Sequence, residues 1–473
     1  MALPRYVKHN DGQVRQMYKR RVDAGFGPGF SDLSGRAVKI PSGRAARLAH
    51  LGGLSLGVMG NVAGQGLKEL GSGRWPALPQ LLMSPQNITL LARKLAKMRG
   101  AAMKLGQLLS MDSGDFLPSE LAMILQRLRA EADFMPPKQL RDVLNQEWGM
   151  GWMGRFSRFD VRPMAAASIG QVHYAVTKAG EALAIKVQYP GVRNSIDSDI
   201  ENVSALIAWS GLLPPGLDLG PFLTLAKEQL HEETDYAREA KQLLCFGDLL
   251  SGDTRFAVPQ VHADLSTENI LAMEFMPGQP IEDLLQFPTE DRRAVMEALI
   301  DLSLKELFDF KLMQTDPNFA NFLYDAKSKR VVLLDFGATR PVNAALSATY
   351  ARYLNAGLAG NEALMCSAAL TLGFLNEAMP QSMQDEFVEM MHLAFAELVK
   401  DQIFQFGQNE LAHDLQQRGL RMAERSREVH LPPPETLYIQ RKMAGLYLLG
   451  RRLKAEVGLK NLLKPYLHPY DQG

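Results

Sequence analysis

The sequence predicts an α+β protein in which a helical N-terminal extension precedes a small β-rich lobe and a mainly helical C-terminal lobe. Two changes in the spacing of apolar residues support this prediction. Over 89–109, apolar residues recur every three or four positions, which is typical of one face of a helix. From 156 onward, short runs alternate apolar with polar residues and are rich in β-branched and aromatic side chains, which is typical of strands. After 289 the helical spacing returns.

The individual elements follow from these patterns in chain order. In the extension, helices are predicted over 89–109, 118–130 and 137–146. In the β-rich lobe, strands are predicted over 156–163, 171–177, 182–188, 256–261 and 269–275. Two further helices, over 193–209 and 221–250, separate the third of these strands from the fourth. From 289 on we expect helices, apart from short strands on either side of residues 314–321.

The same patterns divide the chain into four segments. We predict a basic, Gly-rich N-terminal segment (1–75), the helical extension (76–150), the β-rich lobe (151–276) and the helical lobe (277–473). A chain of 473 residues is long enough for two or three units that each bury a core. We therefore expect each lobe to have a core of its own.

Composition excludes some partners and favours others. The formal net charge is zero, so the whole protein has no electrostatic preference for nucleic acid, and we expect no nucleic-acid partner. Cys245 and Cys366 lie far apart, which favours a reducing compartment, and the histidines show no metal-ligand spacing. Residues 1–47 carry ten Lys and Arg against three Asp. This basic segment suits an anionic membrane surface, or it is a solvated arm.

Residues 48–67 form a stretch without a formal charge. Gly53 with Gly57, and Gly60 with Gly64, have the small-residue spacing that lets apolar helices approach closely and that permits a homodimer. Polar residues interrupt the stretch, so its apolar density is low for a membrane-spanning helix. Two interpretations stay open: a helix that docks on or enters a membrane, and a Gly-rich linker or soluble packing helix.

The segments MQTDPNFAN (313–321) and LLDFG (333–337) are the most specific motifs in the chain. An Asp followed five positions later by an Asn, and then a hydrophobic strand ending in Asp-Phe-Gly, is the spacing that a protein-kinase-like fold uses around ATP. It predicts Asp316 beside the phosphoryl acceptor, with Asn321 and Asp335 as magnesium ligands. Gln314 and Thr315 replace the His-Arg that usually precedes the catalytic Asp, which indicates altered chemistry.

A lysine and a glutamate extend this set. Lys186 lies in the strand pattern ALAIKV, where a lysine can contact the α- and β-phosphates of a nucleotide. Glu239 lies on the predicted helix 221–250, where its carboxylate could orient that lysine. The acidic residues just before it could equally form a solvated helix face.

Six motifs in sequence order resemble those of the UbiB family of atypical kinases, the ubiquinone-biosynthesis kinase-like proteins. They are KLGQ (104–107), AAASIGQVH (165–173), AIKVQYPGV (184–192), EETDYAREA (232–240), QTDPNFANFLYD (314–325) and LLDFGATR (333–340). The resemblance covers the chain from about residue 35 to its end, and it is strongest to the mitochondrial coenzyme Q kinase-like branch and its bacterial relatives. It implies an atypical protein-kinase-like fold.

The resemblance also implies a role for each matching residue. Lys186 would contact phosphate with Glu239 as its ion-pair partner, and Asp316 would occupy the catalytic-base position. Asn321 and Asp335 would bind magnesium. The segment 273–276, which includes Glu274 and Met276, would be the hinge whose backbone binds adenine.

One departure from ordinary kinases lies in the loop that should cover the phosphates. This loop is expected to bind nucleotide through four residues, Ala165, Ala166, Ala167 and Ser168. Alanine avoids backbone conformations that are open to glycine, so the loop should favour ADP or an unproductive pose of ATP. We expect Ala167→Gly to change the nucleotide preference and to promote self-phosphorylation.

A second departure concerns access to the site. The resemblance implies that the helix carrying Lys104 and Gln107 regulates the site by filling the place of a peptide substrate, with Lys104 paired to Glu233 or Asp235. The alternative is a solvated helix face. No Ala-Pro-Glu motif and no long Ser/Thr-bearing segment follow Asp335-Phe-Gly, so the usual platform for a peptide is missing as well.

The leading hypothesis is therefore an ATP- and magnesium-dependent atypical kinase or ATPase that supports ubiquinone biosynthesis. Its expected partners are an anionic membrane and quinone-biosynthesis enzymes or their lipid precursors. A protein kinase with an unidentified substrate and a nucleotide-gated scaffold are the alternatives. Asp11 and Asp23 interrupt the basic N-terminus, which is unlike a transit peptide. The cytoplasmic face of a bacterial inner membrane is the expected location, and the matrix side of the mitochondrial inner membrane is the alternative.

Overall fold

The computed structural model describes residues 95, 98, 100–102, 104–105, 134–210, 220–400, 403–407, 414–415, 417–419, 421 and 432–466. The basic segment 1–75, the uncharged stretch 48–67, the predicted helix 118–130 and Gln107 lie outside these residues. Within the predicted helix 89–109, Leu95, Lys104, Leu105 and residues 100–102 are helical.

The strands and helices are numbered here in chain order. The strands are β1 Phe156–Phe159, β2 Ala165–Ala166, β3 Gly170–Thr177, β4 Ala182–Gln188, β5 Phe256–Ala257, β6 Ile270–Glu274, β7 Gln279–Pro280, β8 Leu312–Gln314, β9 Phe322–Asp325, β10 Arg330–Leu333, β11 Thr339–Pro341, β12 Phe404–Gln405 and β13 Glu456–Val457. The α-helices are α1 Pro137–Trp148, α2 Ile196–Ser210, α3 Gly220–Glu233, α4 Tyr236–Leu249, α5 Thr289–Lys305, α6 Ala344–Leu358, α7 Glu362–Leu372, α8 Gln381–Val399, α9 Pro434–Leu453 and α10 Leu459–Leu463.

The chain forms two compact units. The first contains residues up to Leu244 together with Pro259–Met276, and the second contains Cys245–Val258 together with Pro277 onward. Residues 245–258 thus belong to the second unit, although the sequence patterns group them with the β-rich lobe 151–276.

An antiparallel sheet is the centre of the first unit. Its strands run in the order β1-β3-β4-β6, and β2 also pairs with β3. Helix α1 covers one side of the sheet, because Leu144 and Trp148 pack in one buried cluster with Ile185, Val187 and Ile270. The Trp148 indole Nε1–H also donates a hydrogen bond to the Leu265 carbonyl at 2.8 Å. The strand predicted over 182–188 is confirmed at its full length as β4.

The prediction of one helix over 221–250 is wrong. The chain forms two helices, α3 and α4, which are separated by Thr234 and Asp235. The Thr234 hydroxyl donates to the His231 carbonyl at 2.7 Å, and an Asp235 carboxylate oxygen accepts from the Arg238 N–H at 2.9 Å. Asp235 is therefore the N-cap of α4, and such a local hydrogen bond competes with continued helix.

Two predicted strands are shorter than expected. The strand predicted over 156–163 ends at Phe159, and the one predicted over 256–261 is limited to β5, with Val261 forming an isolated bridge to Met273. Pro259 lacks the N–H that a continued ladder needs, so β5 ends before it. Pro163 likewise keeps the ladder from extending over 163, although β1 already ends four residues earlier.

Among its described residues, the second unit contains three small sheets and the remaining helices. Strands β5, β10, β9 and β7 form one sheet in that order, and β8 pairs with β11. Strands β12 and β13 form a third ladder, which the sequence patterns do not predict. A π-helical turn, Glu306–Phe310, follows α5 and ends at Lys311, whose φ of 51° is left-handed. In the described part of the chain, no helix is both long and apolar enough to cross a membrane.

Candidate functional site

A buried ion pair dominates the polar interior of the first unit. Lys186 lies on β4 opposite Val172 of β3, and its Nζ is 2.5 Å from Oε1 of Glu239 on α4. Both residues are buried, with Lys186 8% and Glu239 2% exposed. The Tyr236 ring centroid lies 5.6 Å from the same Nζ. The two charges are therefore desolvated together, and a partner charge and an aromatic face stabilise the ammonium group.

Residues 165–168, which we call the alanine loop, lead directly into strand β3 and pair with its start. Ala165 and Ala166 form β2 against β3, and the Ala167 N–H donates to the Gly170 carbonyl at 2.9 Å. A Cβ on Gly170 would lie 2.4 Å from the Val187 carbonyl oxygen, so only glycine fits at the close approach of β3 to β4. Backbone pairing thus fixes the loop from both ends.

Glu233, the last residue of α3, connects this loop to the helix that carries Lys104, which we call the extension helix. Its Oε1 is 2.7 Å from the Nζ of Lys104, which is only 2% exposed. Its Oε2 accepts a hydrogen bond from the hydroxyl of Ser168 in the alanine loop. The backbones also approach closely, because a Cβ on Gly100 would lie 2.8 Å from the Ser168 carbonyl oxygen. Of the two predicted partners of Lys104, Glu233 makes the ion pair, and Asp235 caps α4.

The predicted hinge lies at the end of β6. Glu274 is the last residue of that strand and pairs with Leu183 of β4. Its N–H donates to the Gln260 carbonyl at 2.8 Å, which ties the end of the strand to the preceding loop. Met276 is the last residue of the first unit. Adenine binding by Glu274 and Met276 stays a prediction.

The second unit brings Asp316, Asn321 and Asp335 together. The Asn321 side-chain amide Nδ2–H donates to Oδ2 of Asp316 at 3.2 Å. The Asn321 carbonyl accepts from the N–H of Leu334, which immediately precedes Asp335, at 2.9 Å. Asp335 Oδ1 accepts from the Gly337 N–H at 2.9 Å. Main-chain hydrogen bonds therefore connect residues 314–321, which we call the catalytic loop after their predicted role, to the Asp-Phe-Gly segment.

The phenylalanine of that segment is anchored in the interior of the second unit. Phe336 is 2% exposed, and its ring stacks on Phe246 with 4.4 Å between centroids. Helix α6 begins at Ala344, so no long loop separates Gly337 from the next helix. Between Gly337 and α6, where every residue is described, the chain thus has no room for the extended segment that docks peptides in protein kinases.

These side chains fit a small divalent cation. Because the Asn321 amide nitrogen donates to Asp316, the amide oxygen is the atom that can serve a cation. Asp335 contributes a carboxylate, and both are the hard oxygen donors that magnesium prefers. Among the described residues no group of three or more His, Cys, Asp or Glu gathers to hold a metal. Asn321 and Asp335 would therefore hold magnesium together with phosphate and water oxygens, which is the usual arrangement in kinases.

Sequence reasoning missed two residues beneath the catalytic loop. Glu306 and Lys442 are 1% and 3% exposed, and Lys442 Nζ lies 3.2 Å from Glu306 Oε2. One signal was available, because Lys442 lies at helical spacing between Ile439 and Leu446, both of which are buried. A lysine within an apolar stripe indicates a buried charge that needs a partner.

Comparison with known proteins identifies the family of this chain. Residues 127–368 match the model of the ABC1 atypical kinase-like domain. The chain is 39% identical to "Atypical kinase COQ8, mitochondrial" of Saccharomyces cerevisiae over 91% of this chain and 86% of that protein. It is 36% identical to "Atypical kinase COQ8B, mitochondrial" of Danio rerio over 92% of this chain and 70% of that protein.

A solved structure supports the fold. Rv3197 of Mycobacterium tuberculosis, in complex with erythromycin, superposes with a TM-score of 0.57 and 25% identity over 79% of this chain and 95% of that one. The predicted atypical kinase-like fold and the resemblance to the UbiB family are thereby confirmed. The chain belongs to the ABC1 atypical kinase-like family, to which the COQ8 and UbiB proteins also belong.

Proposed function

We propose that the protein is a magnesium- and ATP-dependent atypical kinase or ATPase that supports ubiquinone biosynthesis. The buried Lys186–Glu239 pair is the observation on which this proposal rests most directly, with Nζ and Oε1 at 2.5 Å. A lysine and a glutamate in these positions are the pair that must be in place for phosphoryl transfer in kinases. Burying two charges costs free energy that hydrophobic residues would avoid, which favours a functional role.

The remaining residues suit positioning and charge neutralisation. Lys186 would neutralise charge on the α- and β-phosphates, and Asp316 would orient the attacking hydroxyl or water and accept its proton. The hydrogen bond from Asn321 holds the Asp316 carboxylate in one orientation. Asn321 and Asp335 would hold magnesium, which neutralises the developing charge on the phosphates when it is bound.

A small-molecule or water acceptor fits better than a peptide. The ion pair between buried Lys104 and partly exposed Glu233 fixes the extension helix close to the alanine loop in the first unit. In the second unit the short connection between Gly337 and α6 provides no platform for a peptide. Both features favour an ATPase or a small-molecule kinase.

A membrane would be the place of action. The ten basic residues of segment 1–47 would attract anionic lipid, and quinone precursors are lipids with phenolic head groups. Flotation of the full chain with anionic vesicles, compared with a chain lacking residues 1–70, tests this part. Equal flotation of both forms would remove the N-terminal segment from the proposal.

ATP turnover by the native protein and two variants tests the chemistry. Turnover would be measured with and without anionic liposomes and phenolic quinone precursors, for the native chain, Asp316→Asn and Asp335→Asn. We expect turnover that requires magnesium and falls by roughly a hundredfold or more in both variants. Asp248→Asn is the matched control, because Asp248 is exposed in the same unit and should behave as the native protein.

The outcomes separate the alternatives. Background turnover in every condition, with ADP binding retained, would contradict the ATPase proposal and favour a nucleotide-gated scaffold. Transfer of radiolabelled phosphate from ATP to a separate polypeptide would favour the protein kinase. Equal turnover of the native protein and Asp316→Asn would exclude Asp316 as the base.

A further inference from the structure

Helix α9 carries a buried lysine into the base of the catalytic loop. Lys442 Nζ donates to the Gln314 carbonyl at 2.9 Å and to the Gln314 side-chain oxygen at 3.3 Å. The same Nζ lies 3.2 Å from Oε2 of Glu306. Glu306 Oε1 accepts from the Gln314 N–H at 3.3 Å. Lys442 and Glu306 thus contact both the main chain and the side chain of one residue, Gln314.

Gln314 in turn contacts the Asp-Phe-Gly segment. Its Nε2–H donates to the Asp335 carbonyl in a long hydrogen bond of 3.4 Å, and its backbone pairs with Thr339 in the β8–β11 ladder. Beside it, the Thr315 hydroxyl donates to the Ala338 carbonyl at 2.7 Å. Gln314 and Thr315 stand where an ordinary kinase has His-Arg. They connect the catalytic loop to the segment that carries Asp335.

Two more contacts place α9 against the same segments. Gly445, three residues after Lys442, packs against Pro317, and a Cβ there would lie 2.2 Å from Pro317 Cβ. Four residues before Lys442, the Tyr438 ring lies 4.2 Å from the Arg340 guanidinium carbon. Because Gln314 and Pro317 flank Asp316 in sequence, α9 contacts the catalytic loop on both sides of the catalytic residue.

Burial of the Glu306–Lys442 ion pair costs desolvation free energy. Burial raises the pKa of the Glu306 carboxyl, and the charge of Lys442 opposes that rise. Replacing a fully buried ion pair by well-packed apolar residues of similar volume is often neutral or stabilising. Glu306 also opens a π-helical turn, a feature that is frequent at functional sites.

We infer that Lys442, paired with Glu306, is a positioning residue for phosphoryl transfer, which acts through Gln314 to set the places of Asp316 and Asp335. This inference rests on the proposed function for its kinetic consequence. It assigns to helix α9 the support that His-Arg gives the catalytic loop in ordinary kinases. Lys442, which lies outside every motif of the site, would then control the position from which Asp335 binds magnesium.

The test compares two variants of the full chain with a control on the same helix. Lys442→Met removes the donor to Gln314, and Glu306→Gln/Lys442→Met also removes the carboxylate that would be left buried without its lysine. Leu449→Ala is the control, because Leu449 is a fully buried residue of α9 whose loss weakens packing without changing a charge. Melting temperature reports folding in all of them.

Steady-state kinetics and amide hydrogen exchange should respond to the positions of Asp316 and Asp335, and not to stability alone. We expect both Lys442 variants to lower kcat for ATP hydrolysis by about tenfold or more and to raise the magnesium concentration for half-maximal turnover, with little change in KM for ATP. Amide hydrogen exchange should rise in peptides covering 312–321 and 333–341. Leu449→Ala should lower the melting temperature and leave kcat, the magnesium midpoint and these exchange rates near native values.

Different results would contradict the role of Lys442 and the proposed function. If the folded double variant keeps the native kcat, magnesium midpoint and exchange rates, the pair is merely structural and the inference is overturned. If the native protein itself hydrolyses no ATP, the proposed function fails. The exchange rates of the two peptides still decide whether Lys442 positions them.

Discussion

The Lys104 ammonium lies 2.7 Å from the Glu233 carboxylate, and the other oxygen of that carboxylate accepts the Ser168 hydroxyl. One glutamate therefore connects the extension helix to the alanine loop. The lysine is 2% exposed, whereas the Glu233 side chain keeps 20% of its surface open to water. The extension helix is thus bound to the loop by a desolvated charge on one side and a partly hydrated charge on the other.

Lys104→Met should loosen this connection. We expect a loss of roughly 1–3 kcal/mol in unfolding free energy, because Glu233 loses a charged hydrogen-bond partner but keeps access to water. Hydrogen exchange of residues 165–170 should rise. Lys227→Met is the matched control, since Lys227 pairs with Asp197 at 3.0 Å on the surface of the same unit and should change stability by less than about 1 kcal/mol. Native exchange in 165–170 after Lys104→Met would show that Glu233 does not couple the helix to the loop.

The Lys186–Glu239 pair allows stability to be separated from nucleotide binding. Lys186→Met should cost about 3–5 kcal/mol, because Glu239 is left as a buried charge. Adding Glu239→Leu should restore most of that stability, since an apolar pair needs no desolvation. ADP affinity should stay lost in both variants, because the phosphates have no lysine to contact. Urea unfolding and titration calorimetry measure the two quantities, and recovered ADP binding in the double variant would argue against Lys186 as a phosphate ligand.

Local patterns predict the parts of this protein that depend on local forces. Strand β4 is predicted at its observed bounds because alternation and β-branched residues agree over its whole length. The break between α3 and α4 is not predicted, because the helical spacing continues through 234–235 while a single Asp235 cap ends it. The β12–β13 ladder joins two two-residue strands that lie far apart in the chain, so neither strand has a readable pattern.

The same distinction holds for the candidate site. Motif spacing identifies Asp316, Asn321 and Asp335, which the structure brings together in one unit. The proposed role of Lys442 depends on a contact with Gln314 across 128 positions of sequence, which no spacing rule describes. Buried polar networks of this kind are visible only once the packing of distant helices is known.

His173 should make the first unit sensitive to acid. The ring is fully buried, accepts from the Gln171 side-chain amide and donates from Nδ1 to the Asp160 carbonyl, each at 2.8 Å. Burial lowers the pKa of His173 from 6.5 to about 4. In the unfolded chain His173 therefore binds a proton below pH 6.5, whereas in the folded chain it binds one only below about pH 4. The contribution of His173 to stability is complete above pH 6.5 and is lost as the pH falls from 6.5 to 4.

His173→Gln should remove this dependence. Between pH 7.5 and 4.5 we expect the native protein to lose about 2–3 kcal/mol more unfolding free energy than the variant. Tryptophan fluorescence during urea unfolding reports the first unit, because all four tryptophans precede residue 210. His392→Gln, an exposed change in the second unit, is the control and should follow the native protein. Parallel pH profiles for native and His173→Gln would contradict the assignment.

Gly445 and Gly247 are helical glycines for which alanine should have opposite effects. A Cβ on Gly247 meets nothing within 4 Å, so Gly247→Ala should stabilise the protein by about 0.5–1 kcal/mol through helix propensity. At Gly445 the added Cβ would lie 2.2 Å from Pro317 Cβ, and proline cannot turn away. Gly445→Ala should therefore destabilise the protein by about 1–3 kcal/mol, which is typical of overpacking.

The two substitutions should also differ in catalysis. Pro317 follows Asp316 directly, so a displaced proline should move the Asp316 carboxylate and its hydrogen bond from Asn321. We expect Gly445→Ala to lower kcat for ATP by roughly tenfold or more, because small displacements of a positioned group have large kinetic effects. Gly247→Ala should keep native turnover. Calorimetry and steady-state kinetics on both variants measure these changes. A folded Gly445→Ala protein with native kcat would show that the contact of α9 with Pro317 does not control the position of Asp316.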